Sequence, residues 1–217
     1  FDLYTLALAG KIIEVAKYEK IDILHVHYAI PHAVSGFLAR EIIGKDNNLK
    51  LVTTLHGTDI TLVGLEPSFL PLVKFSLEQS DAITAVSKYL ADKTIQNFEV
   101  GKPIEVIPNF VDTELFKRDD KKCLKQSLCK NCSTMLVHVS NFRPVKRVCD
   151  TIRILKKVRE THPAKLILIG DGPDRAAAEK LARELDIAEH VKSYGKQSQH
   201  ADVLASADFF LLPSQSE

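Results

Sequence analysis

The chain has 217 residues, 45% of them hydrophobic and 26% charged, with a formal net charge of +1; this fits an ordinary globular protein with room for two domains of about 100 residues each. A balance so close to neutral argues against a nucleic-acid groove or a strongly anionic membrane partner. No apolar run reaches the ~18 residues of a membrane span, and the opening FDLYTLALAGKIIEVAKYEK has the pattern of an amphipathic helix, not of a signal peptide.

Helical and strand patterns alternate from end to end, which predicts an α/β fold with parallel, doubly wound sheets. In the first part, helices are expected over 3–19, 33–43, 69–79 and 88–97, and strands over 23–27, 51–55, 82–86 and 104–107. Residues 112–133 are polar, charged and Cys-bearing with little periodicity, so they read as a connector. The second part restarts with strands over 135–139, 166–169, 191–194 and 209–212, and helices over 148–160, 175–185 and 201–206. The expected domains are 1–117 and 134–217, with a linker over 118–133. There is no initiating Met, and the first domain opens on a helix where a doubly wound domain opens on a strand and a Gly-rich turn. The sequence is therefore expected to be a fragment, with both domains incomplete.

The stretch MLVHVSNFRPVKR, 135–147, carries the most telling chemistry. Its apolar start reads as a buried parallel strand, and Val148, Ile152, Leu155 and Val158 as the inner face of the helix that follows. Between them stand Arg143 and Lys146, with Pro144 stiffening the turn. Ligands of doubly wound sheets bind beyond the carboxyl ends of the strands. Two cations there suit a diphosphate, because Arg offers a planar fork of donors and Lys a mobile point charge. A solvated basic turn is the competing reading of these residues taken alone.

The segment S-N-F-R-x-V-K-R after a strand resembles the donor-site turn of retaining glycosyltransferases with the two-domain GT-B fold. Four more segments match that family in order: HGTD (56–59), IPNFVD (107–112), GDGP (170–173) and LLPSQSE (211–217). Within the family the chain is most similar to the N-acetylglucosaminyl L-malate synthases of bacillithiol biosynthesis. That narrower likeness rests on HVHYAIPHAVSGFLA (25–39), TTLHGTDITLVG (53–64) and VSNFRPVKRV (139–148).

The resemblance implies two Rossmann-like domains, the second holding UDP-GlcNAc and the first the acceptor, in a cytoplasmic enzyme that needs no metal. By it, Arg143 and Lys146 contact the donor diphosphate and stabilise the departing charge, the kind of preorganised electrostatics that often dominates catalysis. Glu217 becomes the first Glu of the family's E-x7-E motif and His56 faces the transferred sugar. Ser140, Asn141, Gly170, Asp171, Gly195 and Lys196 line the donor site. Gly170 and Gly172 also have a plain structural reading, since a tight strand-to-helix turn needs glycine anyway. Gln197 belongs to the same loop as Gly195. Tyr28, Thr54, His32 and Asn109 are the expected acceptor contacts. A dicarboxylate such as L-malate also requires a cation, to be supplied from outside this sequence or by a basic residue such as Lys74.

Several readings compete with these. His25 and His27 share one side of their strand by its period of two and are expected to be core or wall residues. Cys129-x-x-Cys132 has zinc-like spacing, but no second pair of ligands follows, and His138 lies inside an apolar strand. Cys123, Cys129, Cys132 and Cys149 are therefore read as reduced thiols. Rival functions are a GT-B transferase with a lipid acceptor, a UDP-sugar 2-epimerase, and a non-catalytic sugar-nucleotide binder. The oligomeric state is left open.

Overall fold

In the computed structural model the described residues are 2–44, 48–61, 63–118, 124–129, 133–197 and 200–215. Contacts divide the chain into two units, Phe1–Phe110 and Val111–Glu217. Each is built on a four-stranded sheet whose strands are all parallel. The expected α/β class is thus the class observed.

The first unit runs α1 (Asp2–Glu19), β1 (Ile23–His27), an irregular turn (Ala29–Ala33), α2 (Val34–Ile43), β2 (Lys50–Leu55), α3 (Thr58–Thr61), α4 (Leu70–Gln79), β3 (Ala82–Ala85), α5 (Lys88–Phe98) and β4 (Ile104–Val106). Its strands lie in the order β1-β2-β3-β4. One face of the sheet is apolar: Val26, Leu51, Leu55, Ile83 and Ala85 are buried with Val73 and Leu77 of α4 and Leu90 of α5. The other face carries His25 and His27, both exposed. Alternation along β1 puts them there, because side chains two apart point the same way. Helix α5 starts cleanly because Ser87 caps it, its hydroxyl accepting from the Leu90 amide at 3.2 Å.

The second unit runs α6 (Lys125–Leu128), β5 (Thr134–Val139), a 3-10 turn (Pro144–Lys146), α7 (Val148–Arg159), β6 (Ala164–Ile169), α8 (Arg175–Glu184), β7 (Val191–Ser193), α9 (Ala201–Ala205) and β8 (Phe209–Phe210). Strands β5 and β6 are buried on both faces. Leu136, Leu166 and Leu168 meet Val148, Ile152 and Leu155 of α7 on one side, while Met135, Val137, Ile167 and Ile169 form a second cluster on the other. That two-sided burial is why these strands read as continuous apolar runs. Small residues Ala178 and Ala182 let α8 approach the same core.

Strand order here is β7-β6-β5-β8. The chain steps outward from β5 to β7 and then returns to the other side of β5. The switch point, where connections leave in opposite directions and a crevice opens, lies between β5 and β8.

Differences from expectation are local. Within 112–133 the short helix α6 is not loose connector: the Leu124 amide donates to Ser206 Oγ at 2.7 Å and Lys125 pairs with Asp208 at 2.6 Å, both in the second unit. Cys129 is disulfide-bonded, against the expectation of reduced thiols, while Cys149 is free. Cys123 and Cys132 lie outside the described residues. No helix among the described residues is long and apolar enough to cross a membrane.

Candidate functional site

The switch point of the second unit gathers the ends of β5, β6, β7 and β8. After β5 the chain turns at Phe142, a fully buried residue with φ 39°, and extends Arg143 outward before the 3-10 turn closes with Lys146 N donating to Arg143 O at 2.8 Å. Arg143 is exposed and makes no ion pair among the described residues; Lys146 is half-buried. On the far side of the switch point, the Gln215 amide donates to Val145 O at 3.0 Å. The turn after β5 and the segment after β8 are therefore laced together by main chain. Glu217 lies outside the described residues.

Gly170 and Gly172 are required by this packing. Gly170 has φ 125°, and a methyl group on it would overlap the Ser140 carbonyl; one on Gly172 would overlap the Asn141 carbonyl. The loop after β6 thus lies flat against the loop after β5, and the Gly170 amide donates to Gly195 O at 2.8 Å to bring in the loop after β7. Asp171 is half-buried, accepting from the Gly172 amide at 2.9 Å and standing 3.7 Å from Arg175. Asn141 and Lys196 are exposed, and Gln197 is held by the Tyr194 carbonyl at 2.9 Å.

His138, read in sequence only as too deep to bind zinc, turns out to organise this edge. It is fully buried. Its Nδ1 donates to Leu211 O at 2.8 Å and its Nε2 lies 2.8 Å from Ser140 Oγ, which also accepts from the Phe142 amide at 3.2 Å. The Phe142 ring stacks on the imidazole, centroids 5.9 Å apart. Burial pushes its pKa down, with the nearby Lys146 charge acting in the same direction and the Leu211 bond opposing. Ser140, expected at the donor, uses its hydroxyl within the fold. A polar residue inside a strand buried on both faces must find partners there, and that was the signal available in the sequence.

In the first unit the carboxyl ends of β1 and β2 bring together His25, His27, Tyr28, Thr54 and His56. His27 Nδ1 lies 2.8 Å from His56 Nε2, and His25 Nε2 lies 2.7 Å from Thr54 Oγ1. Thr54 Oγ1 is also 2.6 Å from Thr84 Oγ1, so its hydroxyl makes two hydrogen bonds within the sheet. Tyr28 has φ 78°, a conformation that L residues seldom adopt. Its ring lies beside His56 and His32, centroids 5.1 and 5.8 Å away, and its hydroxyl makes no hydrogen bond among the described residues. His32 is tied at both ring nitrogens, to His27 O and, at 3.3 Å, to Tyr4.

Beneath this cluster, buried Asp59 accepts from the Ala29 amide at 2.7 Å and the Gly57 amide at 3.1 Å, locking the HGTD turn to the turn after β1. Burial lowers the pKa of His56, His27 and His25 lowering it further while Asp59 raises it; burial, then His27, lowers that of His25. Asn109 is exposed and apart from these contacts. Lys74 pairs with Glu99, just past the far end of α5, at 3.4 Å. No group of three or more potential metal ligands occurs among the described residues.

Two parallel-sheet units, one with a cation-bearing turn at its switch point, define an α/β protein. Residues 2–115 match the model of Glycosyltransferase Family 4 and residues 120–217 that of Glycosyl transferases group 1. The chain belongs to Glycosyltransferase Family 4. It is 45% identical over 215 residues to the N-acetyl-alpha-D-glucosaminyl L-malate synthase of Bacillus anthracis, covering 99% of this chain and 56% of that protein. It is also 27% identical over 170 residues to a GDP-mannose-dependent phosphatidylinositol monomannoside mannosyltransferase of Mycolicibacterium smegmatis, covering 75% and 42%. Among solved structures, HepE of Anabaena in complex with UDP and glucose aligns with a TM-score of 0.75 at 21% identity, over 100% of this chain and 58% of that one. The chain spans about half the length of the relatives it matches.

Proposed function

We propose that the intact protein is a cytoplasmic, retaining glycosyltransferase that moves N-acetylglucosamine from UDP-GlcNAc to the hydroxyl of L-malate. The observation that carries this reading is the 45% identity to the Bacillus anthracis synthase, which runs through both units. In it, the second unit belongs to the donor domain and the first to the acceptor domain. The diphosphate sits in the crevice between β5 and β8, against Arg143 and Lys146, with Asn141, Gly195 and Lys196 around it.

Departure of UDP builds negative charge on the β-phosphate, and the two cations stabilise it without reorganising. The malate hydroxyl attacks from the face the phosphate leaves, and that phosphate takes its proton, so configuration is kept with no covalent intermediate. Tyr28 holds the acceptor and His56 faces the transferred sugar. Thr54 acts through His25, since its hydroxyl is engaged within the sheet.

The test is UDP release by the intact enzyme with UDP-GlcNAc and L-malate, with the anomeric coupling of the product read by NMR. Malate-dependent release of UDP and an α-configured product are expected, and activity should survive EDTA. A β product sinks the retaining mechanism. Loss with chelator, restored by magnesium or manganese, sinks metal independence. Transfer to a phosphatidylinositol in place of malate moves the acceptor to a lipid.

A further inference from the structure

We infer that His138 is a positioning residue of the donor site, fixed as the neutral Nδ1–H tautomer, and that it sets the aim of the Arg143–Lys146 turn; this rests on the donor-site reading above. Hydrogen-bond chemistry alone fixes the tautomer. A carbonyl oxygen only accepts, so the proton between His138 and Leu211 belongs to Nδ1. Nε2 of the neutral ring is then an acceptor, and the Ser140 hydroxyl donates to it. With its proton so directed, Ser140 Oγ is left to accept from the Phe142 amide. One directed chain results: Phe142 N–H to Ser140, Ser140 O–H to His138, His138 N–H to Leu211.

Its two ends are the two sides of the switch point. Phe142 precedes Arg143 and holds a left-handed backbone that an L residue adopts at a cost; its amide bond to Ser140 and its ring on His138 hold it there. Leu211 opens the segment that returns as Gln215 to the Val145 carbonyl. A proton added to Nε2 would point N–H at the Ser140 oxygen, reverse the chain and place a buried charge near Lys146. His138 therefore serves by staying neutral. It touches no substrate in this arrangement.

The experiment compares His138→Phe, His138→Gln and His138→Asn in the intact enzyme. Phe keeps the stacking surface and loses both bonds. Gln keeps an acceptor near the Nε2 position and Asn a donor near that of Nδ1. The reading predicts that His138→Phe lowers kcat/KM for UDP-GlcNAc and affinity for UDP by about tenfold or more, the scale of leaving buried polar groups unpaired. KM for L-malate should move less than about twofold, and Gln should recover part of the loss, less so when combined with Ser140→Ala.

Nitrogen-15 NMR of the imidazole should show Nδ1 protonated and Nε2 bare. An Nε2–H tautomer overturns the proposal, as do folded variants with unchanged UDP affinity and turnover. A thermal destabilisation that shifts donor and acceptor parameters alike reduces His138 to a structural role and also overturns it. A wild-type enzyme that binds UDP but ignores malate leaves this inference standing and rejects the acceptor instead. One that binds no UDP rejects the donor-site reading and this inference with it.

Discussion

The two units share an architecture but build their strand ends from different materials. In the second unit the edge is made by main chain: glycines 170 and 172 press one loop onto the carbonyls of the next, and a single buried imidazole joins the two sides of the switch point. In the first, side chains touch side chains, with His25, His27, Thr54 and His56 linked through rings and hydroxyls. The strand orders explain part of this. Order β7-β6-β5-β8 puts a switch point inside the second unit, whereas β1-β2-β3-β4 advances in one direction only. A crevice therefore opens within the second sheet, and the strand ends of the first are lined by titratable groups. A diphosphate needs fixed charge and close backbone; a small polar acceptor needs adaptable hydrogen bonds.

The largest expected effect falls on the fixed charges. Arg143→Ala and Lys146→Ala should each lower kcat by about 100- to 1000-fold, the range seen when one group that stabilises transition-state charge is removed. UDP affinity should fall by less, because the contact strengthens as charge develops. Steady-state kinetics beside calorimetry with UDP decides it. Equal turnover in both mutants breaks the contrast between the units.

Next comes the close approach of backbones. Gly57 in the first unit and Gly170 in the second have similar φ, 132° and 125°, but nothing lies within 4 Å of a Cβ added to Gly57. The conformational strain of alanine is thus common to both, about 1–3 kcal/mol, and Gly170→Ala adds overpacking of about 1–3 kcal/mol. Denaturant unfolding of the two variants measures the difference. If Gly57→Ala costs as much, close loop packing does not distinguish the second unit.

Smaller effects test the imidazoles. His25 and His56 are held below the ordinary imidazole value, so over the interval between their folded pKa and about 6.5 the unfolded chain binds more protons. Stability from their neutral forms is complete above that ordinary value and is lost as the pH falls through the folded ones. His27→Gln removes a repelling charge, and the C2-proton resonances of His25 and His56 should then titrate at higher pH. Unshifted titrations would show that the cluster is not coupled. Tyr28→Phe, which deletes a hydroxyl with no partner among the described residues, should raise KM for L-malate several-fold, on the scale of one hydrogen bond, and leave KM for UDP-GlcNAc unchanged.

Much of this was legible in the residues, and the failures have physical causes. Apolar runs such as LVTTL and LILI, bounded by turn residues, located the long strands, because burial on both faces demands such runs. Helix α7 announced itself by Val148, Ile152 and Leu155 at helical spacing. Short α6 did not, since four residues carry no period, and its position depends on Ser206 and Asp208, about eighty residues away. The turn with Arg143 and Lys146 was visible because its chemistry is local. The roles of Thr54, Ser140 and His32 were not, because each hydroxyl or imidazole is engaged by a group distant in sequence or folded back on it. Sequence places a polar side chain at a strand end; only the pairing of strands tells whether its hydrogen bonds are already taken.

The smallest effect concerns the cation a dicarboxylate acceptor requires. Lys74 was the basic residue of the first domain offered for it. Its partner Glu99 is 86% exposed and the separation is 3.4 Å; exposed pairs of this kind contribute about 0–1 kcal/mol. Lys74→Met should therefore change stability by no more than about 1 kcal/mol and leave KM for L-malate within about twofold, since losing a charge-assisted contact would cost about tenfold or more. Assay of the mutant at two salt concentrations separates direct contact from a weak long-range field, which salt would screen. A tenfold rise in KM at both would return Lys74 to the acceptor site. With Lys74 silent, the positive charge comes either from a protonated imidazole of the His25–His27–His56 cluster or from another basic residue, in this sequence or outside it. The first source predicts that malate binding takes up a proton, and calorimetry in two buffers of different ionisation enthalpy would count it.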